Sequence, residues 1–161
     1  MEWSHGGNWR DDGINGIARW LNRVYDLATR TIGPLPNKTN RSREIIRKLH
    51  QTVRKVNLDL EAFKFNTAIA ALMELSNVMN TAFEERTVSR EAWQDATKQL
   101  LLMLAPITPH IAEELWERTG HSYSVHTQPF PKWDDSLAAE EAITLVVQVD
   151  GRVRERLEVP V

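Results

Sequence analysis

The sequence predicts a mainly α-helical protein, a helical bundle of about five helices followed by a C-terminal β-hairpin. No glycine occurs between Gly33 and Gly120 and no proline between Pro36 and Pro106. So long a stretch without helix-breaking residues favours helices. Apolar residues within it recur at intervals of three and four, the spacing of one helix face. The pattern changes to alternation only near the C-terminus, where it indicates strands.

The apolar faces place the first two helices. The first should cover residues 14 to 31 and end at the Gly-Pro-Leu-Pro sequence of residues 33–36. Its expected inward side chains are Ile14, Ile17, Ala18, Leu21, Val24, Tyr25 and Ala28. The second should cover residues 42 to 62 and end in a break at residues 63–65. Its expected inward side chains are Ile45, Leu49, Val53, Val56 and Leu60.

End signals define the other helices. A third helix should cover residues 66 to 83. A fourth should start after Ser89, which can cap it, and continue to residue 104. Its expected inner face is Trp93, Ala96, Leu100 and Leu104. The fifth, residues 109 to 119, should have Thr108 as N-cap, a proline at its first position and Gly120 as a left-handed C-cap.

Two alternating runs, residues 143–149 and 152–159, are joined by Asp150-Gly151. Asp-Gly between such runs is one of the strongest hairpin signals in a sequence. An isolated hairpin is only marginally stable. We therefore expect these residues to be the first two strands of a domain that has been cut off.

Composition limits the class of protein. The 161 residues are 42% hydrophobic and 26% charged, which is typical of a soluble globular chain. With no cysteine, thiol catalysis, thiolate zinc sites and disulfides are excluded. The longest apolar run, residues 100–105, is far shorter than the roughly 20 residues that span a bilayer, so no membrane association is expected. The N-terminus lacks the pattern of a signal peptide, which predicts a cytoplasmic location.

The net charge of -2 hides an uneven distribution, because residues 1–56 carry +6 and residues 57–161 carry -8. The densest basic block, residues 38–56, contains a single acidic residue, Glu44. On a helical wheel, the residues opposite the apolar face of the second helix are Arg43, Arg47, His50 and Arg54, with Arg41, Lys48 and Lys55 on one flank. Such a block is weak evidence for a phosphate-bearing partner, since solvated helix faces are also basic.

No catalytic or metal-binding residues are predicted. There is no glycine-rich phosphate loop, G-x-S-x-G or H-E-x-x-H motif. Glu113 and Glu114 are adjacent and diverge on a helix, so they are expected on a solvated face. His121 and His126 have no metal-ligand pattern around them and are expected to be ordinary surface imidazoles.

Four segments together resemble the C-terminal part of leucyl-tRNA synthetases, which are class I aminoacyl-tRNA synthetases. They are WSHGGNW at residues 3–9 followed by GI-x-G-x-x-RWLNRVY at 13–25, HQTVRKV at 50–56 with FNTAIAALME at 65–74, LAPITPHIAEELW at 104–116, and VQVDGRVR at 147–154. The third is similar to valyl and isoleucyl enzymes as well. The fourth, joined to the first, points to the leucyl family. The nucleotide signatures HIGH and KMSKS do not occur.

The resemblance implies a domain organisation: residues 1–12 as a linker from a catalytic core, 13–139 as a helical anticodon-binding domain, and 140–161 as the truncated start of a C-terminal domain. The parent protein is then an ATP-dependent leucine-tRNA ligase acting in protein biosynthesis. Its ATP, with Mg, is expected in the catalytic domain, and no cofactor is expected in this fragment, which should be inactive alone. The implied partners are tRNA(Leu) and the chain's own catalytic core.

The resemblance implies that the helical domain positions tRNA through contacts to its backbone and shape. The expected tRNA-binding residues are Arg43, Arg47, Arg54, Lys48 and Lys55, followed by Arg19 and Arg23, with Arg152 and Arg154 as weaker candidates. For each, solvation or an intramolecular salt bridge is the alternative. Two alternatives stay open for the domain: a module that only packs against the catalytic core, or the equivalent domain of a valyl/isoleucyl-type synthetase.

Overall fold

The computed structural model describes residues 11–30, 42–139, 142–149 and 152–160, with side chains for residues 14–30 and 42–139. The helices are α1 (Asp11–Thr29), α2 (Ser42–Glu61), α3 (Phe65–Glu84), α4 (Arg90–Leu104), α5 (Pro109–Arg118) and α6 (Asp135–Ala138). A short 3₁₀ helix, Val125–Thr127, precedes α6, and the strands are β1 (Ala142–Val149) and β2 (Arg152–Pro160). The predicted helical bundle is confirmed. The sequence did not predict α6.

The core lies between α2, α3 and α4, and it is closed by α1 and α5. The apolar face predicted for α2 is correct from Ile45 to Val56, and Leu60 is half-buried. The inner face predicted for α4 is buried throughout. Trp20 and Trp93 are each 1% exposed, and the Trp20 Nε1–H group donates to Ser76 Oγ at 3.0 Å. Burial of such large aromatic groups contributes strongly to stability, and the hydrogen bond satisfies the indole.

The inward face predicted for α1 is wrong in its first half. Ile14 and Ile17 are 47% and 36% exposed, and Ala18 is exposed too. Among the described side chains of α1, Trp20 is the first that is buried, and the buried face then continues through Val24, Leu27 and Ala28. The side chains of α1 are buried only where the helix packs against neighbouring helices. Apolar periodicity predicts which face is apolar but not how far along the helix a neighbour covers it.

Three helices end with the same pair of backbone hydrogen bonds and a residue of positive φ. After α5 this residue is Gly120, with φ 85°, as the sequence predicted. After α2 and α3 it is Phe63 and Arg86, with φ 55° and 54°. At the end of α2, Lys64 N–H donates to the Asp59 carbonyl and Phe63 N–H donates to the Leu60 carbonyl. This is the Schellman pattern, which ordinarily favours glycine.

The predicted N-caps differ in outcome. The Ser89 side chain accepts from Ala92 N–H, so it caps α4 as expected. Thr108 occupies the N-cap position of α5 but makes no side-chain cap. Its hydroxyl instead donates to the Leu104 carbonyl at 3.4 Å. The preceding turn of α4 therefore competes successfully for this side chain.

The C-terminal strands pair antiparallel, with Leu145 opposite Leu157 and an irregularity in register between Val147 and Gln148. The hairpin predicted from the alternating pattern is thus present in the backbone. Its turn, Asp150-Gly151, lies outside the described residues.

Candidate nucleic-acid interface

The predicted basic residues of α2 lie on the side of the helix that faces away from the core. We call Arg43, Arg47, Arg54, Lys48 and Lys55 the α2 basic face. Arg43 and Arg54 are exposed, and Arg47 is half-buried. The spacing of Arg43, Arg47 and Arg54 corresponds to about 6 and about 11 Å along the helix axis. The helix therefore places these three residues in one row, as the helical wheel predicted.

Two acidic side chains from elsewhere in the chain lie against this face. Glu74 of α3 accepts a hydrogen bond from Lys48 Nζ at 2.7 Å, and Asp135 of α6 is 3.5 Å from Arg54 Nη1. Exposed ion pairs of this kind contribute only about 0–1 kcal/mol. A phosphate group could displace either carboxylate at a small energetic cost.

Lys55 has a closer partner within its own helix. Its Nζ donates to Asp59 Oδ2 at 2.7 Å, and the Asp59 side chain is only 8% exposed. Burial by itself raises the pKa of Asp59, but hydrogen bonds from Lys55 and Thr67 and the charges of Lys55 and Lys64 outweigh it, so the pKa lies below its usual value. Asp59 is therefore ionised at neutral pH and holds Lys55 in place.

The α6 segment covers the middle of the row. Asp134 N–H donates to His50 Nδ1 at 3.1 Å, and the Gln51 side-chain amide donates to the Ala138 carbonyl at 2.9 Å. His50 lies between Arg47 and Arg54 on the same helix face, so the row is interrupted at this position. An open groove of about 660 Å³ between α2 and α6 is lined by Arg54, Lys55 and the 49% exposed Leu58.

The secondary candidates lie on other elements of the chain, α1 and β2. Arg19 and Arg23 are exposed on α1, where Arg19 Nε–H donates to the Asn15 carbonyl at 3.2 Å. Within the described part of the chain, Arg23 and Arg47 make no ion pair. Arg152 and Arg154 lie on β2, and their side chains lie outside those described.

Sequence reasoning missed Glu74, Asp135 and the covering role of α6. No local pattern could reveal the two ion pairs, because each joins residues on different helices. Asp134 offered one signal that could have found α6: its side chain accepts from Ser136 N–H as an N-cap. A turn ending in Asp or Ser before a short helix is a recognisable start signal.

Glu113 and His121 correct two expectations about surface residues. Glu113 is half-buried and accepts from Val125 N–H at 3.0 Å, so it holds the loop after α5 instead of facing solvent. His121 stacks on Trp116, with ring centroids 4.0 Å apart. Burial lowers the pKa of His121 below its usual value. Both residues have structural contacts that a solvated face would not provide.

The described residues show neither a metal-binding cluster nor a membrane-spanning helix. They contain no group of three or more histidine, aspartate or glutamate side chains that could hold a metal ion. No helix in the described ranges has the length and apolar character needed to cross a membrane.

A family model described as the anticodon-binding domain of tRNA ligase matches residues 42–161. The chain belongs to this family. The anticodon-binding domain described here is also 51% identical over 158 residues to a leucine-tRNA ligase of Dehalococcoides mccartyi. A leucine-tRNA ligase of Rubrobacter xylanophilus is 46% identical over the same length. Each alignment covers 98% of this chain and 19% of the relative.

A solved structure gives the same assignment. The ternary complex of the Agrobacterium radiobacter K84 leucyl-tRNA synthetase with tRNA and LeuAMS superposes with a TM-score of 0.75 and 32% identity, covering 96% of this chain and 21% of that chain. The resemblance to the leucyl family is confirmed, and the valyl/isoleucyl alternative has less support. This anticodon-binding domain spans about a fifth of the length of the curated relatives it matches.

Proposed function

We propose that this domain binds tRNA(Leu) along the α2 basic face and positions it for a leucine-tRNA ligase, the parent protein, which attaches leucine to the tRNA with ATP. The observation that carries the proposal is the row of Arg43, Arg47 and Arg54 on the outer side of α2. Arginines in a row can contact successive phosphates without reading base sequence. In addition, the structural neighbour is a leucyl-tRNA synthetase in complex with tRNA.

The proposal assigns each partner a place. The α2 basic face contacts tRNA backbone, and the groove beside Leu58 accommodates a sugar or base next to those phosphates. ATP with Mg²⁺ binds the catalytic region of the parent and not this domain. The protein acts in the cytoplasm, where the other components of translation are found.

The direct test is a titration of the 161-residue chain with tRNA(Leu) at two salt concentrations. If about four phosphates are contacted, the affinity should fall about a hundredfold between roughly 50 and 200 mM salt. Arg47→Glu should weaken binding by at least about tenfold and reduce the salt slope by about 1. Arg86→Glu, in the turn after α3, is the matched control because it changes the net charge equally.

Circular dichroism should show both variants folded. Equal losses of affinity in the two variants would mean that only net charge matters and would contradict a specific α2 surface. Undetectable binding of the folded wild-type chain at low salt would contradict tRNA binding by this domain.

A second candidate function, docking onto the catalytic region of the parent, is favoured by the exposed Ile14 and Ile17 on α1. The test mixes the chain with a separately expressed catalytic region and measures aminoacylation. Ile17→Asp should abolish the restored aminoacylation because the chain no longer docks onto the catalytic region. Arg47→Glu should also abolish the restored aminoacylation, but the chain should still dock. Restoration that survives Arg47→Glu would favour docking as the main function.

A further inference from the structure

The turn between α2 and α3 holds a large apolar side chain in an unfavourable place. Phe63 has φ 55° and is 68% exposed. Its backbone ends α2 in the Schellman pattern, at a position where glycine has no steric cost. Phenylalanine therefore lowers stability here in two ways, through its backbone conformation and through apolar surface left in water. Backbone strain of this kind clusters at sites that bind ligands.

The turn after α3 allows these two costs to be separated. Arg86 has φ 54° and is exposed like Phe63, but its charged side chain is well suited to water. Of the two turns, only the one after α2 presents an aromatic ring to solvent. The effect of the strain can thus be measured at Arg86, and the effect of strain and ring together at Phe63.

A second aromatic ring orients the side chain of Phe63. The ring centroids of Phe63 and Phe65 are 6.1 Å apart, and their planes make an angle of 76°. This is the edge-to-face arrangement that aromatic pairs favour. Phe65 is half-buried at the start of α3. The contact therefore limits the orientation of the Phe63 ring while the residue stays largely exposed.

Phe63 lies at the end of the α2 basic face. Leu58 is one turn beyond Arg54 on the same side of α2, and it is 49% exposed. The helix ends at Glu61, and Phe63 follows in the turn. The row of cations is thus continued by apolar surface and then by an aromatic ring. Proteins that bind single-stranded nucleic acid combine these two features, cations for the phosphates and aromatic rings for the bases.

The charged groups around the ring leave a cation for a phosphate. Lys64 follows Phe63 directly, is exposed, and makes no ion pair with another described residue. Two carboxylates are close in sequence. Asp59 is buried and paired with Lys55, and Glu61 is exposed on the last turn of α2. Lys64 can therefore pair with the phosphate of a nucleotide whose base lies on Phe63.

We propose that Phe63 stacks on an unpaired base of the bound tRNA while Lys64 pairs with a neighbouring phosphate. The inference rests on the proposed function, tRNA binding along the α2 basic face. It adds the feature of the tRNA that is recognised, a base that is exposed in a loop or bulge. Every base has a flat aromatic face, so the contact positions the tRNA without selecting one base.

The test is a titration of the 161-residue chain with tRNA(Leu) at two salt concentrations. Phe63→Leu keeps an apolar side chain but removes the ring, and it should weaken binding about tenfold. Phe63→Trp should bind at least as tightly as wild type, because it offers a larger ring. Tyr123→Leu is the matched control, since it removes a ring that is 89% exposed in the loop after α5, and it should leave the affinity unchanged.

Salt dependence separates stacking from charge. Stacking releases no counterions, so Phe63→Leu should lower the affinity by the same factor at both salt concentrations. Arg47→Glu should instead reduce the salt slope. A wild-type chain that binds no tRNA would contradict the proposed function itself. Binding that is weakened by Arg47→Glu but unchanged by Phe63→Leu would overturn the role of Phe63 alone.

Thermal unfolding gives an independent readout. Phe63→Gly should raise the Tm slightly, because it relieves the backbone strain, and yet lower tRNA affinity, because it removes the ring. Arg86→Gly relieves the same strain and should raise the Tm without a salt-independent loss of affinity. A Phe63→Gly chain with wild-type tRNA affinity would overturn the proposal.

The alternative partner of the ring is a protein surface in the catalytic region of the parent. A protein contact would not alter the affinity of the isolated chain for tRNA. If Phe63→Leu binds tRNA like wild type but no longer restores aminoacylation when mixed with the catalytic region, the ring contacts protein and the stacking proposal is wrong.

Discussion

The two faces of α2 differ in how much of their structure the sequence predicts. On the inner face, Leu49, Val53 and Val56 are at most 1% exposed, in the positions that apolar periodicity predicts. On the outer face, periodicity also predicts the row of arginines, but it does not predict which cations already have partners. Burial depends on a repeating local pattern, whereas the availability of a charge depends on single side chains from other helices.

Two leucines of α2 test the contrast most strongly. Leu49 is 1% exposed and Leu58 is 49% exposed. Leu49→Ala should lower the free energy of unfolding by about 2–5 kcal/mol, because it leaves a cavity in the core. Leu58→Ala should cost less than about 1 kcal/mol. Urea unfolding of both variants measures the difference, and equal losses would mean that the two faces are packed alike.

Asp59 lies at the border between the two faces of α2. Substituting it should lower stability less than Leu49→Ala does, and the loss should depend on pH. Asp59→Asn should lower stability at neutral pH by about 1–3 kcal/mol, since it removes the charge-assisted hydrogen bond from Lys55. Because the folded-state pKa lies below the unfolded value of about 3.9, the stability that this carboxylate contributes is present above that value and lost as the pH falls through the folded pKa.

Urea unfolding at about pH 7 and about pH 3 should show this difference shrinking in acid. Asp26→Asn, on the exposed side of α1, is the matched control. A difference between wild type and Asp59→Asn that is the same at both pH values would contradict the role given to the carboxylate.

Removing the carboxylates that pair with the α2 basic face should strengthen tRNA binding modestly. Glu74→Gln and Asp135→Asn remove the partners of Lys48 and Arg54. Each should raise tRNA affinity about two- to fivefold at low salt while changing stability by less than about 1 kcal/mol. Titration of labelled tRNA measures the effect. Glu91→Gln on α4 changes the net charge equally and controls for it; a similar gain there would remove the special role of the two ion pairs.

The smallest expected effects concern helix ends. Phe63, after α2, has φ 55°, a conformation that costs a non-glycine residue about 1 kcal/mol. Phe63→Gly should therefore stabilise the chain by roughly 0.5 kcal/mol, after the greater freedom of glycine in the unfolded state is counted. Gly120→Ala should destabilise it by about 1 kcal/mol through backbone strain alone, since an added Cβ would meet no atom within 4 Å. Thermal unfolding of both variants tests the pair.

The features of this chain that the sequence predicts are those that depend on local residue patterns. Five helices, the inner faces of α2 and α4, the Ser89 cap and the Gly120 end could be predicted because each depends on residues within a few positions of one another. The exposed start of α1, the positive φ of Phe63 and Arg86 and the four-residue α6 could not. Their signals are absent, weak or overridden by contacts between distant segments.

The sequence by itself determined the helical bundle, the orientation of the α2 basic residues away from the core, and the resemblance to leucyl-tRNA synthetases, because periodicity and motif order are properties of the chain alone. Only the tertiary structure decided that Glu74 and Asp135 meet Lys48 and Arg54 and that α6 interrupts the row at His50. The physical reason is range: helix formation is governed by neighbours in sequence, whereas ion pairing and burial are governed by neighbours in space.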